Sequence, residues 1–344
     1  MNKRNAVLGF FLLFGLLISC GEKPDKEFNL IVPNGFRAPV IPKHNQLTEK
    51  KVALGQLLFF DPIVSDDSST SCATCHIPEL AFTDGKKVPA GVMGNIGTRN
   101  SPTLVNVAYY PYFFSEGKVM DLETQALAPG LHEAEMGTEL KQMIYRLRKN
   151  KFYHSKFKEI FKQEIELKHF VYVIACYERT LIAANSKYDQ FLQSKDSTLL
   201  SKEEKQGMNL FFSDRTQCSQ CHNGNLFTDF SIQNIGLYEV YIDPGLARAN
   251  SLGADSGKFK TPTLRNIEFT SPYMHDGSFT TLEEVVEFYD LGGKNHRAKS
   301  KWIKPLHLTV QEKKSLVSFL KILTDGDLKN GKGIFKTPIL NYRE

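Results

Sequence analysis

Cys72-Ala73-Thr74-Cys75-His76 and Cys218-Ser219-Gln220-Cys221-His222 place the same three reactive side chains at the same spacing, twice in one chain. Two thiols three positions apart can each add to one vinyl group of a porphyrin. The imidazole that follows directly then reaches the central iron from one side. The pattern is the attachment signature of c-type haem. A zinc knuckle or a redox dithiol uses the same cysteine pair, but neither pair here has a second pair nearby to complete a zinc site, and both carry the histidine. Two covalently bound haem c groups are expected, held by Cys72, Cys75, Cys218 and Cys221, with His76 and His222 as iron ligands.

The other cysteines agree. Lys3 and Arg4 precede an apolar run over 6–18 that is too short for a convincing membrane span and ends in Leu17-Ile18-Ser19-Cys20. The small residue before Cys20 resembles a bacterial lipobox. Residues 1–19 then form a lipoprotein signal peptide, and Cys20 carries a lipid on the periplasmic side of a bacterial membrane. Cys176 lies in an apolar helical stretch over 170–184 and reads as a buried small hydrophobe. No spare pair remains for a disulfide framework. Hydrophobic content of 41% and charged content of 24% are those of a soluble globular protein. The formal charge is +5; removing residues 1–19 takes away Lys3 and Arg4 and no acid, which leaves +3 and gives no basis for nucleic-acid binding.

The elements that must position these motifs are themselves duplicated. A helical lead-in Gly55-Gln56-Leu57-Leu58-Phe59-Phe60 precedes the first motif, and Gly207-Met208-Asn209-Leu210-Phe211-Phe212 precedes the second. Leu80-Ala81-Phe82-Thr83-Asp84 answers Leu226-Phe227-Thr228-Asp229. Beyond them the copies run at a constant offset of 160: Pro102-Thr103-Leu104 with Pro262-Thr263-Leu264, Asn106 with Asn266, Gly117 with Gly277, Leu122-Glu123 with Leu282-Glu283. The expected fold is mainly α: two tandem c-type cytochrome domains, each of short helices and long loops around one haem. Domain limits are read as a proline-punctuated tether over 20–45, an N-terminal haem domain over 46–195, a C-terminal haem domain over 196–325, and a tail over 326–344 with no assigned role.

The register also bears on the irons. A helix opened by Thr281-Leu282-Glu283-Glu284 reaches Tyr289, while the position 160 residues earlier is Pro129, which has no donor atom. If both segments reach the distal face of their haem, Tyr289 can close the second iron while the first stays open. An open iron can bind peroxide; a closed one stores or relays an electron. Met274 and His275 are competing ligands.

In both haem motifs, in Arg99-Asn100-Ser101-Pro102, Leu122-Glu123-Thr124-Gln125-Ala126, Pro129 and Glu135-Met136, and in Ser271-Pro272-Tyr273-Met274-His275-Asp276-Gly277, the chain resembles the bacterial di-haem cytochrome c peroxidase superfamily, within it the MauG-type branch. The resemblance covers roughly 46–325. It implies that Tyr289 ligates the second iron, and that Gln125 and Glu135 are the catalytic pair on the distal side of the first. A carboxylate there can take a proton from bound hydrogen peroxide and return it to the departing oxygen; His132 is a rival base. It also implies an inter-haem calcium site at Asn100, Thr270 and the carbonyl of Pro272, oxygen donors that suit a hard cation.

Two departures stand out. The family's inter-haem tryptophan aligns with Ser115, in Phe114-Ser115-Glu116-Gly117; Phe113, Phe114 and Tyr112 are partial substitutes, and the single tryptophan, Trp302, is expected to pack a core. No histidine lies between His76 and His132 to close the first iron, and Met93 is the only other soft donor in the loop before Arg99. The expected function is reduction of hydrogen peroxide to water with electrons from a small c-type cytochrome or other periplasmic carrier. The alternatives are a MauG-like oxidase of partner side chains and a non-catalytic electron-transfer cytochrome.

Overall fold

The computed structural model describes residues 25–340 except 133, 134 and 138. Cys20 and the signal-peptide segment lie outside the described residues. The duplication is visible as two equivalent helix crossings. Thr48 caps the helix Glu49–Phe60 by accepting from the amide of Lys51, and this helix crosses Leu167–Glu178 at Gly55. A Cβ on Gly55 would stand 1.9 Å from the Val173 carbonyl oxygen. Ser201 and Glu204 form a capping box for Lys202–Phe211, which crosses Val310–Lys321 at Gly207, where a Cβ would stand 1.8 Å from the Ser315 carbonyl oxygen. Only glycine lets the backbones meet this closely. Beside each crossing an aromatic pair packs edge-on or tilted: Phe59 with Tyr177 at 5.1 Å and Phe211 with Phe319 at 5.2 Å.

Two buried clusters follow from the two crossings. One gathers Phe59, Phe82, Leu147, Tyr153 and Tyr177; the other Phe211, Phe227, Leu282, Val286 and Phe319. The partition differs in three places from the limits read in the sequence. The helix Lys187–Ser194, placed before a boundary at 195, contributes Tyr188 to the second core. The tail contributes Leu328 and Phe335 to the first core. The described part of the expected tether is packed: Phe28, Leu30 and Ile41 lie against Leu47, Val52 and Cys176, Phe36 contacts Tyr109 of one half and Arg265 of the other, and Asn45 is fully buried. Alternating apolar residues among the prolines provide this contact. Cys176 is buried, as its apolar surroundings require.

Among the described residues the strand content is a single two-residue antiparallel ladder, Ile232–Gln233 with Phe259–Lys260. Across the junction of the halves Arg99 binds Glu116 at 2.6 Å and Asp243 at 2.5 Å. The bound guanidinium pulls the Asp243 carboxyl down to about 2 against the opposing effect of burial. No helix among the described residues is long and apolar enough to cross a membrane.

Candidate haem sites

Each Cys-x-x-Cys-His sits in one short turn, Cys72–Cys75 or Cys218–Gln220, closed by an amide bond from the histidine back to the first cysteine: His76 to Cys72 at 3.0 Å and His222 to Cys218 at 2.9 Å. That turn brings both thiols and the ring to one side. His76 Nδ1 donates to the Phe82 carbonyl at 2.9 Å, and His222 Nδ1 to the Phe227 carbonyl at 3.0 Å. A carbonyl only accepts, so the proton is on Nδ1 and the lone pair on Nε2. Burial lowers the pKa of both rings, which keeps them neutral. The echoed Leu-Phe-Thr-Asp segments are therefore what orients the imidazoles. Thr103 and Thr263 tie the same segments down, donating to the carbonyls of Ala81 and Leu226 at 2.6 Å each.

In the second half a cavity of about 340 Å³ lies against Cys218, Cys221, His222 and Tyr289. Two thiols, a lone-pair nitrogen and a phenol around one largely apolar space fit a covalent haem, which Cys218, Cys221 and His222 would hold, with the Tyr289 oxygen as a candidate further ligand. Tyr289 rides on the helix Leu282–Asp290, opened by a Thr281–Glu284 capping box. Burial raises its phenol well above the ordinary range, and the thiols of Cys218 and Cys221 are close enough to add to that. Met274 and His275 line the same cavity, but the His275 ring stacks on Phe259 at 3.9 Å and faces Asp276, Asp243 and Arg99.

The first half differs where the register said it would. Instead of one helix there are two turns, Leu122–Gln125 and Ala128–Leu131, with Pro129 near the start of the second. Proline has no amide to continue the earlier helix. Glu123 anchors the first turn: Arg179 grips its two carboxylate oxygens at 2.7 Å each and Asn45 donates to it at 2.7 Å. This buried clamp, not apparent in the sequence, sets the position of Gln125. Gln125 Oε1 is buried with no hydrogen-bond partner, as expected of a group that meets a ligand. Glu135 follows in a turn held by the Met136 amide on the Pro129 carbonyl at 3.1 Å and the Val92 amide on its own carbonyl at 2.8 Å. Burial raises the Glu135 pKa. Its charge reaches Cys75, whose thiol is pushed up to about 11 by burial first, then by Asp84 and Glu135. His132 lies 3.9 Å from Glu135 with its side chain 61% exposed. Met93 is 80% exposed in its loop.

Residues in the wall of the second cavity were missed or misread. Trp302, expected in a core, is half-buried in the wall of the second cavity. Ser115 lines that cavity too, and its carbonyl accepts from the Lys260 amide at 2.8 Å. The Lys260 ammonium is buried 4.7 Å from the Tyr110 ring and burial pulls it down to about 8. Tyr110 lines the cavity and packs on the first core. Of the expected substitutes, Phe113 is buried in the first core, and the Tyr112 hydroxyl donates to the Phe230 carbonyl.

The chain is similar to several known proteins. The family described as di-haem cytochrome c peroxidase matches residues 49–197. A cytochrome-c peroxidase, IdrP1, of Pseudomonas sp. strain SCT is 36% identical over 317 residues, covering 83% of each chain. The methylamine utilization protein MauG of Methylorubrum extorquens is 35% identical, covering 82% of this chain and 80% of its own. The crystal structure of a MauG-like protein associated with microbial copper homeostasis superposes with a TM-score of 0.86 at 31% identity, over 90% of this chain and 99% of its own. The chain belongs to the di-haem cytochrome c peroxidase family. It is a peroxidase, an oxidoreductase acting on hydrogen peroxide, and its cofactors are two haem c groups.

Proposed function

We propose that hydrogen peroxide is reduced at the Cys72–His76 site and that electrons are taken up at the Cys218–His222 site. The observation that carries this division is the asymmetry at one position of the duplication: donor-less Pro129 beside the unpaired Gln125 Oε1 in one half, the buried Tyr289 phenol in the other. The bound haems supply iron that binds peroxide and exchanges electrons one at a time. The chain's own residues do the rest. Gln125 orients the peroxide by hydrogen bonding. Glu135 takes the proton from one peroxide oxygen and gives it to the other as the O–O bond breaks, so that water leaves rather than hydroxide. One peroxide, two protons and two electrons give two waters.

The donor is a small c-type cytochrome or another periplasmic carrier. Periplasmic placement through a lipid on Cys20 rests on the sequence before it; mass spectrometry of the mature N-terminus tests it. Calcium at Asn100, Thr270 and the Pro272 carbonyl is supported by their sharing one cavity wall and by Asn100 Nδ2 donating to the Lys86 carbonyl at 2.8 Å, which leaves Oδ1 to ligate. Chelation followed by calcium-specific recovery of the rate tests that site. The MauG-like reading is favoured by Tyr289, and the test between the two is product. Stopped-flow mixing with hydrogen peroxide and a reduced cytochrome should show two donors oxidised per peroxide; peroxide consumption that oxidises no donor would reject the proposal.

A further inference from the structure

Residues 291–311 contain no acid, and within them Lys294, Arg297, Lys299, Lys301 and Lys304 fall in eleven positions. Lys294, Arg297, Lys301 and Lys304 are exposed. Carboxylates do not neutralise the strip among the described residues. Arg297 donates to the Gly253 carbonyl at 2.9 Å, Lys299 to the Gly292 carbonyl at 3.0 Å, and the Lys301 ammonium sits 4.6 Å from the Trp302 ring. Five uncompensated cations on one loop produce a field that attracts anionic partners and raises their encounter rate.

The strip packs against two further loops. The Lys294 amide donates to the Gly236 carbonyl at 2.6 Å, residues Asn234 and Lys299 pair as a parallel bridge, and Arg297 reaches the loop of Gly253. On these adjoining loops Val240 is 83% exposed, Ile242 fully exposed, Leu252 58% and Leu291 67%. A single exposed aliphatic is ordinary; here four stand on loops that adjoin the cationic strip, with one exposed carboxylate, Glu239, among them. Trp302, half-buried within the strip and contacted by Lys301, is also in the wall of the cavity lined by Cys218, Cys221, His222 and Tyr289.

We propose that this face docks a small electron-donor protein with an acidic surface, and that Trp302 is the contact through which each electron passes to the second haem. The proposal rests on the division of labour above and adds the partner's chemistry and its place. Each encounter oxidises the donor by one electron, and two encounters supply the pair that one hydrogen peroxide consumes. An anionic membrane is the rival occupant of such a face, and the vesicle measurement below separates it from a protein.

The test uses the holoenzyme and one small soluble cytochrome c in two forms, unmodified and with its lysines succinylated, so that fold and haem are shared and surface charge is reversed. The succinylated form should bind more tightly in calorimetry at low salt, and its affinity should fall steeply as salt is raised. The variant Lys294→Glu/Arg297→Glu/Lys301→Glu should weaken that binding at least tenfold while leaving peroxide reduction by hydroquinone unchanged. Trp302→Phe should slow electron transfer within the saturated complex, and an unchanged rate there overturns the role of Trp302. Equal binding of the two cytochrome forms, or a triple variant that binds the succinylated form as before, overturns the docking face. So does loss of binding to phosphatidylglycerol vesicles with donor kinetics intact. Failure of hydroquinone to sustain peroxide reduction in the unaltered enzyme strikes the peroxidase division instead, and the calorimetry still decides the docking face.

Discussion

At the scale of single residues, chemistry and packing separate at Glu135. The carboxyl sits near Cys75 in an environment that raises its pKa, so it can hold a proton and release it. Positioned acid–base groups contribute about two to four powers of ten in rate. Glu135→Gln keeps size and hydrogen bonding but moves no proton; the first step with hydrogen peroxide should slow by roughly a hundredfold or more, with both haem spectra intact. The exposed His132 should matter far less, and stopped-flow rates of His132→Gln measure that. Tyr289→Phe removes only the phenolic oxygen from the second cavity. One haem alone should change spin state and rise in potential, since a hard anionic ligand favours the oxidised iron; spectroelectrochemistry with EPR reads both. An unchanged spectrum would hand the ligation to Met274 or His275. The expected core role of Trp302 failed at this scale, because composition does not tell a cavity wall from a packed interior.

At the scale of elements, the two glycine crossings hold the haem turns in place. Gly207→Ala puts a methyl 1.8 Å from the Ser315 carbonyl oxygen, so Lys202–Phe211 and Val310–Lys321 must move apart. Overpacking of this kind costs about 1–3 kcal/mol, read as a lower denaturation midpoint. Gly326→Ala meets nothing within 4 Å and starts a helical turn, so it should be neutral or slightly stabilising. Beside Cys72, Glu178 is fully buried and its Oε2 lacks a partner; burial lifts its pKa from 4.5 to about 8. The unfolded chain gives up this proton first as pH rises. The stability contributed by the neutral carboxyl is therefore complete below about 4.5 and lost as pH climbs through about 8. Glu178→Gln should flatten that loss, seen by comparing denaturant unfolding of variant and parent at pH 5 and pH 8.

At the scale of the whole molecule, the halves are joined by Arg99 between Glu116 and Asp243 and by the segment around Phe36. Tyr110, Lys260 and the Ser115 backbone also meet across the junction, where all three line the second cavity. No histidine lies between His76 and His132, and Met93 stands out in solvent. On the division of labour proposed above, the first iron stays open. The fully oxidised protein as isolated should therefore react with hydrogen peroxide without prior reduction, which rapid mixing monitored in the Soret band will show. Turnover that began only after partial reduction would mean another residue closes the site.

Local spacing was enough to read the haem turns, the capped helices and the duplication from the chain alone. Cys-x-x-Cys-His, Thr48, Thr281–Glu284 and the 160-residue register all act through neighbours a few positions away, or through the comparison of one copy with the other. The difference between Pro129 and Tyr289 at one register position was legible too, as a difference in donor atoms, and the proposed division of labour is built on it. Three features were decided only by tertiary structure. Arg179 finds Glu123 across 56 residues, Leu328 and Phe335 return to the first core from the far end of the chain, and residues 25–45 pack across both halves. Each is a long-range contact between groups whose own neighbourhoods specify no partner. Apolar surface and unpaired charge must be buried or matched somewhere, but local sequence carries no information about where. Trp302 belongs with these. Its ring was certain to seek partial burial, and only the folding of loop 291–304 over the second cavity determined what it would be buried against.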